Sequence, residues 1–304
     1  MRKSFNYGLI RSYETTNRTR LTDRLPVIIR VDGKNFTSFT NKLESEDDPF
    51  SEDLAQCMRS AGRTLCDEIA GAQLAYIQSD EINLLITPYT SLNFEPFLDN
   101  RIQKLASITA SIATSAFNKR WNELGYFGHA RFDSRCFTLP KDEVCNYFIW
   151  RQTDWERNSI QMLGRYYFSH DEMHGLDNND IQEKLWQEEN VSWTDLDDWK
   201  KNGIGIRRET TIKTVDHPKA PDEPVERQCW VPYFDENSLP EFSKNRDFIN
   251  DKVFVNDENI NSRRLVYLYK KQTNKSKRQD VYEFETNFDI TISDEKRDEF
   301  ADTL

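Results

Sequence analysis

The chain has 304 residues, 37% of them hydrophobic and 31% charged, and a formal net charge of −11; this is long enough for one large or two modest domains with a sizeable core. No stretch approaches the roughly 20 apolar residues of a membrane span, and MRKSFNYGLI lacks both the long apolar run and the small-residue cleavage site of a signal peptide, so a cytoplasmic protein is expected. Cys57, Cys66, Cys136, Cys145 and Cys229 form no CxxC pair, which points to free thiols in a reducing compartment rather than to zinc or disulfides.

The β-branched run PVIIRV at 26–31 predicts a strand that ends in Asp32 and Gly33. A helix over 51–69 follows, then a hairpin of strands 73–78 and 82–87 turning at Asp80 and Glu81, a long helix over 97–122, and a strand over 131–138. The order is βαββαβ, an α+β, ferredoxin-like unit. Its first strand-helix-strand step makes the two strands parallel. Asp32 and Asp80 therefore converge on one sheet edge, and converging hard oxygen ligands point to metal-assisted phosphoryl transfer on two ions. Gly33, without a Cβ, lets backbone groups approach a metal or a phosphate. Glu81 is either an outer carboxylate of the same site or a solvated turn residue, and with Asp32 and Asp80 it completes the candidate catalytic set.

Farther along, Arg151, Asp154, Asn158 and Gln161 recur at three- and four-residue steps and share one helix face, either turned toward a substrate or merely solvated. His170 and His174 have helical ligand spacing but no third soft ligand nearby, so a metal is not expected there. DHPKAPDEPVE at 216–226 reads as a linker-like loop, and strands are expected at 229–234, 263–270 and 281–292. The negative charge argues against a polyanionic partner at long range, yet basic residues cluster locally. Arg131 and Arg135 flank the strand over 131–138, and Lys200, Lys201, Arg207 and Arg208 surround GIGI. Seven Lys or Arg with no acid lie between Arg263 and Arg278, among them Lys270, Lys271, Lys275, Lys277 and Arg278, a candidate RNA grip.

RVDGKNFTSF at 30–39, QSDE at 78–81, KLASITASIATSAFN at 104–118, FDSR at 132–135 and NYFIWRQTDWERNSI at 146–160 resemble the tRNA-histidine guanylyltransferase family of 3′-to-5′ polymerases. FSHDEMHG at 168–175, with IQEKL and NVSW after it, is similar to the bacterial-type branch. The resemblance covers residues 5–212 and implies a polymerase-like palm that adds nucleotides to the 5′ end of tRNA. By carry-over, Asp32, the Gly33 carbonyl and Asp80 would bind two Mg²⁺. Asp32, Gly33, Lys34, Asn35, Phe36 and Thr37, together with Ser79, Asp80 and Lys104, would hold the triphosphate of ATP, GTP or another NTP. Arg151, Asp154 and Asn158 would face the RNA.

The chain departs from the eukaryotic pattern after Asp154: Glu156 stands where a His is usual, and Asn158 matches the first Asn of the run that follows. That departure favours template-dependent repair of 5′-truncated tRNA over G addition to tRNA-His alone. A homotetramer is implied by the family. The expected organisation is a palm over 1–139, completing helices and a strand over 140–212, and a β-rich extension over 213–304. A nucleotide cyclase, whose palm presents similar acids, and an RNA-binding protein without catalysis are the alternatives.

Overall fold

The computed structural model describes residues 7–16, 18–40, 49–91, 93–215, 223–234 and 237–255. Two compact units separate, Met1–Tyr89 with Glu95–Val255, and Thr90–Phe94 with Asn256–Leu304. Of the second, only Thr90, Ser91, Asn93 and Phe94 are described, a turn in which the Asn93 N–H donates to Ser91 Oγ at 3.3 Å. Everything that follows belongs to the first. The expected strands at 263–270 and 281–292, and the basic residues Lys270, Lys271, Lys275, Lys277 and Arg278, lie outside the described residues.

In chain order the first unit runs α1 (Tyr7–Thr15), β1 (Val27–Gly33), α2 (Phe36–Thr40), α3 (Glu52–Glu68), β2 (Ala72–Gln78), β3 (Glu81–Ile86), α4 (Ile102–Glu123) and β4 (Phe132–Thr138). Then come α5 (Lys141–Tyr167), α6 (His170–Met173), α7 (Asn178–Glu189), α8 (Asp198–Asn202), β5 (Ile204–Val215), β6 (Glu223–Tyr233) and α9 (Asp247–Val253). The sheet order is β4-β1-β3-β2-β5-β6, with every neighbouring pair antiparallel. Since β1 and β2 both run against β3, they are parallel to each other. The expected βαββαβ unit is present.

Strand periodicity sorts the core into two layers. Val27, Ile29 and Val31 face a cluster built with α3 and α4, including Met58, Leu65, Phe117 and Trp121. Ile28, Leu74, Tyr76 and Leu85 face the other way, onto Val144 and Phe148 of α5 and Phe248 and Ile249 of α9. Both faces of the sheet are therefore covered, which is why the central strands read as nearly continuous apolar runs. A third cluster joins the C-terminal half of α5 to α6 and α7 through Ile160, Leu163, Met173, Ile181 and Leu185. Gly164 permits that approach, since a Cβ there would lie 2.8 Å from both Ile181 Cγ2 and Met173 Cε.

Local capping marks the helix starts. Ser51 Oγ accepts the Leu54 N–H at 3.2 Å, with Glu52 and Asp53 in the first turn of α3. Asp177 and Asp180 form a reciprocal capping box on α7.

The sequence boundary at 212/213 falls inside β5, which pairs with β6 from Gly205↔Tyr233 to Val215↔Glu223. Residues 223–226, expected as loop, are part of β6. Two prolines are tolerated there because β6 is the outer strand of the sheet. The unit continues to Val255 because Leu239, Phe242 and Val253 are buried in the same core as α5. Gln152 of α5 ties that segment down, donating to the carbonyls of Asn202 (3.2 Å) and Pro240 (3.1 Å) and accepting the Phe242 N–H at 2.7 Å.

Candidate active site at the β1–β3 edge

Asp32 is the penultimate residue of β1 and lies opposite Glu81 of β3 and Asp133 of β4. The β2–β3 hairpin closes with Gln78 opposite Glu81, leaving Ser79 and Asp80 as a two-residue turn in which Ser79 takes the left-handed conformation (φ 48°). The Gly33 N–H donates to the Asp80 carbonyl at 3.1 Å and so clamps the end of β1 to this turn. A Cβ on Gly33 would strike the Phe36 ring and come within 2.7 Å of Asp80 Oδ2. The Asp80 carboxylate thus lies directly over the glycine backbone, where any other residue would displace it.

Two carboxylates stand at one strand edge, near enough for the charge of Asp32 to act on Asp80, a pair of hard-oxygen donors. Burial, opposed by its own backbone hydrogen bond and reinforced by the charges of Asp32 and Glu81, pushes the Asp80 carboxyl up to about 6 from an ordinary value near 3.8. An acid destabilised by neighbouring anions is what a cation would relieve. Among the described residues no group of three His, Cys, Asp or Glu side chains could hold a metal. Two carboxylates suffice for Mg²⁺, which usually keeps waters and takes substrate phosphate oxygens as its remaining ligands. The donor set fits that ion.

The backbone after Asp32 is partly committed. The Gly33 amide serves Asp80, and the Lys34 amide donates to the Arg131 carbonyl at 2.8 Å. Asn35 is left-handed (φ 57°) and leads into α2, whose first amides have no acceptor within the helix. Among the described residues the amides of Asn35, Phe36 and Thr37, with that of Ser38, are therefore the backbone donors left for an anion. The Phe36 side chain instead anchors this loop in the core, 5.0–5.4 Å from the rings of Phe39, Phe117 and Phe132. The side chain of Thr37 is outside the described set. Lys34 and Ser79 are exposed at the edge.

Lys104 is elsewhere. Helix α4 runs against β4: the Ala130 N–H and C=O both bond Asn118, the Phe132 N–H meets Thr114 Oγ1, and Thr109 Oγ1 meets Ser134 Oγ at 2.8 Å. The C-terminal half of α4 therefore borders the Gly33 edge. Lys104, ten residues before Thr114, lies about 15 Å back along the helix.

Glu81 is neither solvated nor free. It is 5% exposed, accepts Arg151 Nε at 2.8 Å and Nη2 at 3.0 Å, and pairs closely with Arg30. Asn83 donates to the same carboxylate at 2.7 Å, and Tyr147 bonds Asn83. Arg30 reaches Asp32 Oδ2 at 3.3 Å, and Arg151 reaches Asp154 Oδ2 at 3.1 Å. A charged chain Asp32–Arg30–Glu81–Arg151–Asp154 thus runs from the open edge into the α5 layer.

The polar stripe of α5 is correspondingly not an outward face. Arg151 is 4% exposed and spends its guanidinium on Glu81 and Asp154, so it cannot grip a substrate directly. Asp154 is half-buried between Arg151 and Arg157, and Gln161 bonds Asn178. Asn158 alone of the candidate RNA contacts on α5 is exposed. His170 and His174 are exposed, with ring centroids 6.3 Å apart.

A cavity of about 570 Å³ opens beside the turn, lined by Ser79 and Asp80 on one side and by Phe50, Trp155, Tyr166 and Trp199 on the other. The Trp155 indole N–H is buried in this wall with no acceptor among the described residues. Sequence reading missed this hollow because its aromatics come from three segments far apart in the chain, the stretch before α3, α5 and α8. It also left Arg30 without a role, although a guanidinium in the middle of PVIIRV needs a buried anionic partner.

A family model for tRNA(His) guanylyltransferase matches residues 7–140. A solved bacterial tRNA(His) guanylyltransferase-like protein in complex with ATP is 37% identical, with a TM-score of 0.71 over 82% of this chain and 99% of that one. A bacterial structure of the same description in complex with GTP is 36% identical, with a TM-score of 0.68 over 82% and 98% of the two chains. The tRNA(His) guanylyltransferase of Schizosaccharomyces pombe is 32% identical over 158 residues, 51% of this chain and 58% of the yeast protein. The chain thus spans little more than half the length of that curated relative.

Proposed function

Because this chain belongs to the tRNA(His) guanylyltransferase family, we propose that it adds nucleotides to the 5′ end of tRNA in the 3′-to-5′ direction, choosing each by pairing with the opposing template base. The observation that carries this reading is the convergence of Asp32, the Gly33 backbone and Asp80 on one sheet edge. Asp32, Asp80 and the Gly33 carbonyl are the donors for two Mg²⁺, whose chemistry there is to lower the pKa of the attacking 3′-hydroxyl and to offset charge on the leaving pyrophosphate.

The remaining work falls to the chain itself. The free amides of Asn35, Phe36 and Thr37 bind phosphate oxygens, and exposed Lys34 adds a cation at the same edge. Arg30, held by Glu81, fixes the Asp32 carboxylate in place. The aromatic hollow beside Asp80 seats the base of ATP, GTP or another NTP, with the Trp155 N–H as a donor into it. The bacterial relatives solved in complex with ATP and with GTP support nucleotide binding by this chain.

Template dependence follows from Glu156, which occupies the position of the His associated with single G addition. The test is incubation with 5′-truncated tRNAs carrying each of the four template bases and one NTP at a time. The nucleotide complementary to the template is expected in every case. Addition of G whatever the template base would contradict the reading, as would release of a cyclic nucleotide from NTP without RNA.

A further inference from the structure

The loop between α4 and β4 presents one side chain that packing does not explain. Phe127 is 97% exposed. The loop on either side of it is anchored at Tyr126 and Ala130. Tyr126 stacks on Trp121 with centroids 4.4 Å apart and donates to Asp53 at 2.5 Å. The Phe127 carbonyl accepts the Trp121 indole N–H at 3.3 Å, and Asn118 holds both backbone groups of Ala130. Gly125 (φ 89°) and Gly128 (φ 109°) supply the left-handed turns that bracket the ring. Fixing a loop this firmly while holding a phenyl group in water forgoes the stabilisation that burial would give it.

The loop also has an address. Arg131 takes the Lys34 N–H on its carbonyl, and Phe132 pairs with Gly33, so the ring stands four residues from the nucleotide edge. His129 and Arg131, on the same loop, and Lys34, bonded to it through the Arg131 carbonyl, are exposed. The nearby acids are answered locally, Glu123 by Arg120 at 3.3 Å and Asp133 by Arg135 at 3.7 Å. Among the described residues neither Lys34 nor Arg131 makes an ion pair. In a chain of net charge −11, two cations without ion pairs thus stand at the edge into which the bare aromatic's loop leads. Cations that track a backbone and an aromatic face that stacks a base are together the recognition chemistry of single-stranded nucleic acid.

We propose that Phe127 is a stacking platform for an unpaired base at the substrate RNA's end, with Arg131 on the adjoining phosphate. This rests on the proposed function only in taking RNA as the substrate; the binding itself is measurable without catalysis. Phe127→Ala, Phe127→Leu and Phe127→Trp would be compared in full-length protein for the dissociation constant of a 5′-truncated tRNA, and for KM and kcat toward RNA and NTP. Loss of one stacked base should weaken RNA binding and raise its KM roughly 10- to 100-fold. The KM for NTP and kcat at saturating RNA should be unchanged. Trp should restore binding and Leu should not.

The melting temperature of the Ala variant should match the parent, because the ring touches little. Unchanged RNA affinity in Phe127→Ala would overturn the proposal, as would rescue by Leu equal to that by Trp. A shift in sedimentation with unaltered RNA affinity would assign the ring to contact with another subunit and overturn it too. If no variant or parent transfers nucleotide yet the affinities follow the predicted order, the proposed reaction fails while the platform stands.

Discussion

Asp80 and Glu81 are consecutive acids with opposite roles, and the contrast shows how one hairpin separates chemistry from architecture. Asp80 occupies the turn itself, over a residue with no Cβ, facing an open cavity and a second carboxylate. Glu81 is the first residue of β3, where it meets Arg30 and Arg151 and is shut off from water. Asp80 carries charge that its surroundings oppose, whereas Glu81 carries charge that its surroundings demand. Local crowding without compensation suits a residue that will receive a ligand. Full compensation suits one that holds the scaffold.

The contrast can be broken most sharply at Asp80. Asp80→Asn keeps the shape of the turn and removes one metal-organising oxygen, so nucleotide transfer in Mg²⁺ should fall by about 10³-fold or more while the protein stays folded. Single-turnover incorporation of labelled nucleotide checks this. Glu81→Ala should do the reverse in kind. Two guanidinium groups would be left beside a cavity, and breaking a buried pair of this sort costs about 3–5 kcal/mol. Denaturant unfolding should register that loss directly, and any fall in activity should track the folded fraction together with the freed Arg30.

A smaller effect sharpens the same comparison through pH. The Asp80 carboxyl is raised to about 6 in the folded chain, from near 3.8. It therefore binds its proton more tightly folded than unfolded, and the metal-free protein should lose stability as pH rises between those values. One pKa unit corresponds to 1.36 kcal/mol, and partial solvation of the group reduces the full shift to about 1–2 kcal/mol. Asp80→Asn should abolish that slope in thermal melts from pH 4 to 7. Mg²⁺, by answering the charge, should stabilise the parent more at pH 7.5 than at pH 5.

Much of this arrangement is legible in the amino-acid order. The strand ending at Asp32, the hairpin and the flanking helices follow from β-branched runs and turn residues, and their order alone brings Asp32 and Asp80 to one edge. What is not legible depends on distant partners. Glu81 finds Arg151 seventy residues later, so nothing near QSDE tells a buried ion pair from a polar turn. The stripe on α5 has the spacing of an exposed face, but a buried network satisfies it from within. Lys104 belongs to a conspicuous motif, yet it lies in the first turn of a 22-residue helix whose C-terminal half borders the edge. In β6, Pro224 imitates a linker because an outer strand tolerates residues that a central one would reject.

The central claim is that Asp80, and not Glu81, holds the metal. The most direct measurement is calorimetric titration of Mg·ATP into parent, Asp80→Asn and Glu81→Gln proteins at pH 7.5, each first shown to be folded by its melt. Metal-dependent nucleotide binding is predicted to be lost in Asp80→Asn and kept, within a few-fold, in Glu81→Gln. Parent-like binding by Asp80→Asn, or its selective loss in a folded Glu81→Gln, would contradict the account.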